Sequence, residues 1–408
     1  MEVPRAARIT TAHARVAPVS RSEFPTAGVP GLAPRDTGCS SPPVGAPSPV
    51  RLAHYRFGAV EVRADVRLPG YDRYLALVPA QRVAGDGMPG AAPEKAAQAQ
   101  DLQQSPAPYV ITVRRGPAEV PAGQRLARIR VRRGDVEIRA VDGGGLALLT
   151  EGLAPYSLPA GGGEEISWHL RGAPSPAEAD HLIGSAVPWA LAARRDTEVL
   201  HSATLVSPAG AVLLTGRSGR GKSTLSMALH QRLGWPLLGD DAAVLHLTGN
   251  EPRVLSCSRE VRLWHDSGQL LGLGEGTVLT RYATKSRHAV AGDAHKPVTV
   301  TAVISLDPPA GDPDRAVPKG NLSGTQTAHA PDLAERPELT RTRSVDGVLM
   351  LRAGLMRTAL LDVDLAAEEF RFLTRWARGV TFARLRYPHS PAALDTAVGL
   401  LADFAAGR

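Results

Sequence analysis

The run Gly216-Arg217-Ser218-Gly219-Arg220-Gly221-Lys222-Ser223 matches G-x-x-x-x-G-K-[ST] at every position. Its residue types suit one chemistry. Glycines let backbone N–H groups turn inward on phosphate oxygens, and the start of a following helix adds partial positive charge. Lys222 would reach the β- and γ-phosphates, and the Ser223 hydroxyl would ligate Mg²⁺. Gly216 through Thr224 are therefore read as residues that bind a nucleoside triphosphate. The alternative is a plain glycine-rich strand-to-helix turn. Only five of the 47 basic residues are lysines, so a chance match anywhere in the chain has a probability of roughly 0.01. Downstream, Asp240 and Asp241 stand inside the apolar run 237–245. Two adjacent carboxylates can divide labour, one deprotonating an incoming hydroxyl and the other ordering a metal. On their own they would equally make the polar start of a strand.

The neighbouring elements are legible. Residues 211–215 form an apolar strand running into the glycines, and 223–233 carry helical spacing at Leu225, Ala228, Leu229 and Leu233. Another strand is expected over 199–206, with a turn at 208–210. Residues 50–195 read as a β-rich module. It has alternation over 55–63, a strand over 109–113, a hairpin over 126–140 turning at Gly134-Asp135, and a helical run near 188–194. The arginines alternating through that hairpin could grip an acidic peptide or a phosphate, or form a solvated strand face. Towards the C-terminus, strands are expected at 302–307, 348–351, 359–363 and 382–387, with helices over 365–378 and 391–404. Residues 1–49 are Pro-, Ala- and Arg-rich without periodicity, as expected of a disordered tail; 307–341 read as a Pro-rich surface excursion. The division is thus 1–49, 50–195 and 196–408.

His201, the glycine cradle and Leu238-Gly-Asp-Asp241 together resemble the catalytic domain of HPr kinase/phosphorylase and its bacterial relatives. Those enzymes share a P-loop fold with phosphoenolpyruvate carboxykinase. The resemblance covers about 196–265 well and 342–404 loosely, and leaves 1–190 without a motif. It implies an α/β fold with a P-loop catalytic domain, here following a β-rich N-terminal module. It also implies an ATP- and Mg²⁺-dependent serine kinase with Asp240 as general base and Asp241 and Glu260 on the metal side. His201 would orient Asp240 or touch phosphate. The acceptor would be an HPr-like protein or a biosynthetic precursor peptide, and homo-oligomers are expected. Two positions depart from the family. Leu263 replaces a glycine after Glu260-Val-Arg262, and Thr224 stands where an acid is common. The first puts the reverse, phosphorylase, reaction in doubt, and the second suggests a relative and not an orthologue.

Two rival readings use the same residues. Residues 302–307 could serve as a Walker B strand, with Asp307 on Mg²⁺ in a plain NTPase, although Pro308-Pro309 follow at once. The cradle could also bind nucleotide without turnover, as a sensor. Residues 322–326 resemble a transporter-ATPase signature but follow that strand instead of preceding it. Lys285, Lys296 and Arg281 form a basic stretch that could close over phosphates.

Length and composition narrow the class. The 408 residues suffice for about two domains; 43% are hydrophobic and 21% charged, as in ordinary globular chains. A net charge of +7 carried by arginine suits phosphate or acidic-peptide partners, or reflects codon usage in a GC-rich genome. With aromatics at 4%, a stacking nucleic-acid groove is not expected. No run approaches the roughly 18 apolar residues of a membrane span. Arg5, Arg8, Arg15 and Arg21 interrupt any secretory signal, and two cysteines make no disulfide framework. A cytoplasmic protein is expected.

Overall fold

A computed structural model of the chain describes residues 52–76, 109–131, 134–142, 144–160, 162–194, 197–258, 260–279, 282–289, 296–307, 336–356, 363–388 and 390–408. The expectations for 1–49, Arg281, 308–335 and 359–362 lie outside these residues, as does a loop of Gly, Ala, Pro and Gln expected over about 84–108.

The first sheet has eight strands: β1 (Ala53–Phe57), β2 (Val60–Ala64), β3 (Tyr109–Arg115), β4 (Gly123–Val131), β5 (Gly134–Val141), β6 (Leu146–Thr150), β7 (Tyr156–Leu158) and β8 (Glu165–Trp168). Their order is β1-β2-β3-β8-β7-β6-β5-β4. β2, β3 and β8 run parallel, and the remaining pairs are antiparallel. The stretch expected as one strand over 55–63 is a hairpin, with Phe57 opposite Val60. Gly58, at φ 58°, supplies the positive φ that such a two-residue turn needs. Gly134 and Asp135, expected as a turn, are already in β5 and pair with Val131 and Arg130. The Arg128–Asp135 ion pair across the two strands makes an aspartate there as useful to a ladder as to a turn.

After β8 come helix α1 (Pro176–His181), a π-helical turn (Leu182–Ala186) and helix α2 (Val187–Ala193). Ser175 and Glu178 close a capping box that starts α1, with Pro176 in its first turn. The remaining elements, in chain order, are β9 (Glu198–Leu200), β10 (Ser202–Ser207), β11 (Gly210–Thr215), α3 (Lys222–Leu233), β12 (Leu237–Gly239), β13 (Ala243–Thr248), β14 (Glu251–Ser256), β15 (Glu260–Trp264), α4 (His265–Leu270), β16 (Thr277–Leu279), β17 (Tyr282–Ala289), β18 (Val298–Asp307), β19 (Glu338–Thr342), α5 (Ser344–Gly354), α6 (Val363–Trp376), β20 (Thr381–Arg386) and α7 (Pro391–Ala405).

Nine of these strands form a second, mixed sheet, and β15, β17 and β16 form a small antiparallel one. In the large sheet β11, β18 and β20 are parallel neighbours, so their C-terminal ends share one rim. Ligands gather at such rims in open α/β sheets. Helices cover both faces. Val212 and Leu214 of β11 pack with Leu225, Ala228 and Leu229 of α3 and Leu394, Ala397 and Leu401 of α7. Ala211 and Leu213 face Val348 and Leu351 of α5 and Leu373 and Trp376 of α6. Burial on both faces is why this strand reads as an unbroken apolar run.

The strand expected at 348–351 is instead part of α5. Val348 and Leu351 are buried while Leu349 is 57% exposed, a helical spacing that four adjacent apolar letters conceal. From Val50 onward the chain is one compact unit. The core of the first sheet also takes in Val199, Ala242, Val244, Leu255 and Cys257 from the second. Among the described residues, no helix is long and apolar enough to cross a membrane.

Candidate functional site

The glycine run occupies the loop between β11 and α3, at the rim just described. Gly216, Gly219 and Gly221 have φ of 132°, 84° and 83°, which side-chain-bearing residues rarely adopt. A Cβ on Gly216 would lie 2.8 Å from the Leu306 carbonyl oxygen of β18, so this loop hugs its neighbouring strand. Gly221 is the N-cap of α3, and no side chain caps that end. The first N–H groups of the helix are thus free of side-chain acceptors, the arrangement that receives anions. The Lys222 ammonium is 5% exposed and donates to the carbonyl oxygens of Gly216 at 2.8 Å and Arg217 at 3.3 Å. Burial holds its pKa below the usual lysine range.

A cleft of about 780 Å³ opens here. From the loop and α3 it is lined by Ser218, Gly219, Gly221, Lys222, Ser223 and Thr224; Gly216, Arg217 and Arg220 are not part of its wall. The Thr224 hydroxyl donates to Ser267 Oγ at 3.0 Å, tying α3 to α4. Asp240 and Asp241 sit between β12 and β13 and face different surroundings: Asp241 lines the cleft and Asp240 is not part of its wall. Asp240 is 2% exposed. Its Oδ2 accepts the Arg262 backbone N–H at 3.2 Å, and Oδ1 is buried without a partner. Burial, then the neighbouring Asp241 charge, pushes its pKa up to about 6. Asp241 lines the cleft and has φ 69°, a costly conformation outside glycine. Burial pushes its carboxyl up too, but Lys285, His201, Arg262 and Lys222 together hold it below the usual range.

His201 interrupts the chain between β9 and β10 and lines the same cleft. Its Nδ1 lies 2.8 Å from the Asp241 carbonyl oxygen. A carbonyl only accepts, so Nδ1 carries the proton and Nε2 is left as an acceptor. Burial, then Lys222, holds its pKa below the usual histidine value. His201 therefore braces the backbone of Asp241, where the sequence suggested Asp240 or phosphate. Lys285 of β17 pairs in register with Trp264 of β15, lies 5.6 Å from the centre of its ring, and reaches the cleft. Lys296 is not part of the wall.

Like Asp240, the acids Glu260 and Asp307 are not part of the cleft wall. Glu260, expected on the metal side, is 4% exposed and bonded elsewhere. Its Oε1 accepts the Tyr74 hydroxyl at 2.9 Å, and Arg287 lies 3.5 Å away. Asp307, the Walker B acid of the NTPase reading, pairs with Arg384 of β20 at 3.1 Å. Among the described residues no group of three His, Cys, Asp or Glu side chains forms a metal cluster. Mg²⁺ keeps several waters and takes only one or two carboxylates besides phosphate oxygens. Ser223 and Asp241, both on the cleft wall, are the residues here that fit such an ion.

Sequence reasoning missed Trp264, Leu270, Tyr387 and Leu394, which give the cleft an apolar wall. The alternation along β15 carried part of that signal. Val261 and Leu263 are buried against α3, so Glu260, Arg262 and Trp264 must share the opposite face. Tyr387 and Leu394 are brought in from the far end of the chain, and no local pattern marks them.

No family model and no curated protein matches the chain. Among solved structures, that of the Hpr(Ser) kinase/phosphatase from Coxiella burnetii is similar at 17% identity and a TM-score of 0.22, over 50% of this chain and 93% of that one. A likeness so faint leaves the chemistry to be judged on the site itself.

Proposed function

We propose that the chain is an ATP-dependent kinase that transfers the γ-phosphoryl group to a serine hydroxyl of a protein or peptide acceptor in the cytoplasm. One observation carries this reading: an uncapped helix start behind a three-glycine loop opens on a cleft lined by Lys222, Ser223 and Asp241, with Asp240 buried next to Asp241. The uncapped N–H groups and Lys222 bind the phosphates. Mg²⁺, held by Ser223 and Asp241, neutralises phosphate charge when bound. The serine oxygen attacks the γ-phosphorus, the bond to the β-phosphate oxygen breaks, and ADP leaves. Asp240 takes the hydroxyl proton. Its unpartnered Oδ1 and a pKa of about 6 suit an acceptor working near neutrality. His201 keeps Asp241 in its strained conformation.

The test is γ-labelled ATP with Mg²⁺, the purified protein and a lysate of its host, beside Lys222→Ala. The expected result is acid-stable label on a protein or peptide, absent with the variant, which also binds ATP more weakly. Free phosphate alone would replace this reading by the NTPase. Tight ATP binding without turnover would replace it by the sensor, and normal turnover by Lys222→Ala would remove the cradle from the chemistry.

A further inference from the structure

Arg262 touches both members of the acid pair. Its backbone N–H donates to Asp240 Oδ2 at 3.2 Å, and its guanidinium Nη1 lies 3.8 Å from Asp241 Oδ2. The guanidinium is held from behind by a segment that no motif marks. Nη2 donates to the carbonyl oxygen of Asp180, in the last turn of α1, at 3.4 Å. The same guanidinium lies against Gly184 in the π-helical turn: a Cβ built there would stand 1.7 Å from Nη1. Gly184 is not among the glycines with positive φ, so it is needed for space and not for backbone conformation.

Asp180 is itself fixed. Its Oδ1 accepts the Tyr71 hydroxyl at 2.8 Å and pairs with Arg287 Nη1 at 3.3 Å. The Arg287 side chain is 3% exposed; its guanidinium lies 4.3 Å from the centre of the Tyr71 ring and 3.5 Å from Glu260. Tyr71, Tyr74, Asp180 and Gly184 all belong to the first half of the chain; Glu260, Arg262 and Arg287 belong to β15 and β17.

We infer that Asp180 and Gly184 are positioning residues: the α1–π segment sets the Arg262 guanidinium against Asp241 and so fixes the geometry of the acid pair. Gly184 leaves the space, the Asp180 carbonyl takes one edge of the guanidinium, and Asp241 takes another. Tyr71 and Arg287 lock Asp180 in place. The first half of the chain thereby completes the surroundings of the cleft without touching a nucleotide.

The activity arm of the test rests on the phosphotransfer reading; a spectroscopic arm does not. Gly184→Ala keeps an accessible backbone conformation and meets only the movable end of a side chain, so the protein folds with Arg262 displaced. Transfer is expected to fall by about 10- to 100-fold, while ATP affinity stays within about twofold because the cradle is untouched. In an Arg262→Met background, Gly184→Ala should add no further loss, as it would if it acts only through Arg262. Tyr71→Phe, which removes one hydroxyl and keeps the ring, should show a smaller loss with the same dependence on Arg262. With ¹⁵N-labelled arginine, the guanidinium signals identified by their loss in Arg262→Met should exchange slowly in the wild type and rapidly in Gly184→Ala. Transfer within twofold of wild type, the same proportional loss in the Arg262→Met background, or unchanged Arg262 signals would each overturn the inference. Absence of transfer by the wild-type protein would instead overturn the phosphotransfer reading, and the Arg262 signals would still decide the positioning.

Discussion

At the scale of single residues, Asp240 combines two properties that usually conflict. It is buried without full pairing, which is costly, and in the proposed reaction it is the group that accepts a proton. Its folded pKa, about 6, lies above the ordinary aspartate value, so the ionised form is worse off in the fold than in the unfolded chain. That destabilisation is present above the folded pKa and relieved as pH falls below it. Asp240→Asn is therefore expected to melt no lower than wild type at pH 7.5, while losing transfer by a factor on the order of 10²–10⁴. A variant that melts well below wild type and transfers normally would reverse both assignments. The wild-type rate should fall about tenfold per pH unit below 6, because the base must be deprotonated; a profile flat down to pH 5 would place the proton acceptor elsewhere. The glycine loop between a strand and a helix was legible in the sequence because its residue types and spacing are local. Gly184 was not legible: it is one glycine in an otherwise apolar stretch, and the guanidinium it makes room for lies far along the chain.

At the scale of elements, strands buried on both faces and the longer C-terminal helices were readable. α3, α7 and β11 fall within a few residues of their expected places. Two kinds of element escaped. Residues 348–351 are too short an apolar run to separate strand from helix, and packing of α5 against β20 decided the matter. In the β1–β2 hairpin a two-residue turn at Gly58 keeps apolar alternation on either side, so the reversal leaves almost no trace. The short helix α1 is a third case, because six residues do not hold a helix unaided. Its start depends on the box in which the Ser175 hydroxyl accepts the Glu178 N–H at 3.3 Å and the Glu178 carboxylate accepts the Ser175 N–H at 2.7 Å. Ser175→Ala is expected to cost about 1 kcal/mol. Hydrogen exchange should quicken first at the α1 amides; protection unchanged there would mean that packing of Ala179 and His181, and not the cap, starts the helix.

At the scale of the whole molecule, a single core joins the two large sheets, and Cys257 reports on it. This thiol follows β14, is 4% exposed, and shares a cluster with Phe57, Trp168 and Trp189 of the first half and Val199, Val244 and Leu255 of the second. Burial pushes its pKa up to about 12, so at pH 8 it is a protonated thiol with no route to solvent. Reagents attack the thiolate, so alkylation must wait for the shared core to open. The sequence suggested two modules meeting near 195, since composition and periodicity change there; but a core assembled from both sides of that point has no local signature. If the halves stand or fall together, iodoacetamide at pH 8 should leave the Cys257 peptide unmodified in the native protein. In urea its labelling should rise over the same concentration range as the loss of tryptophan signal, and a chain lacking residues 50–195 should be labelled at once. Labelling of Cys257 at low urea, well before the tryptophan change, would show that the first sheet separates while the cleft sheet stays folded. In that case Arg262 would lose its support before the cradle does.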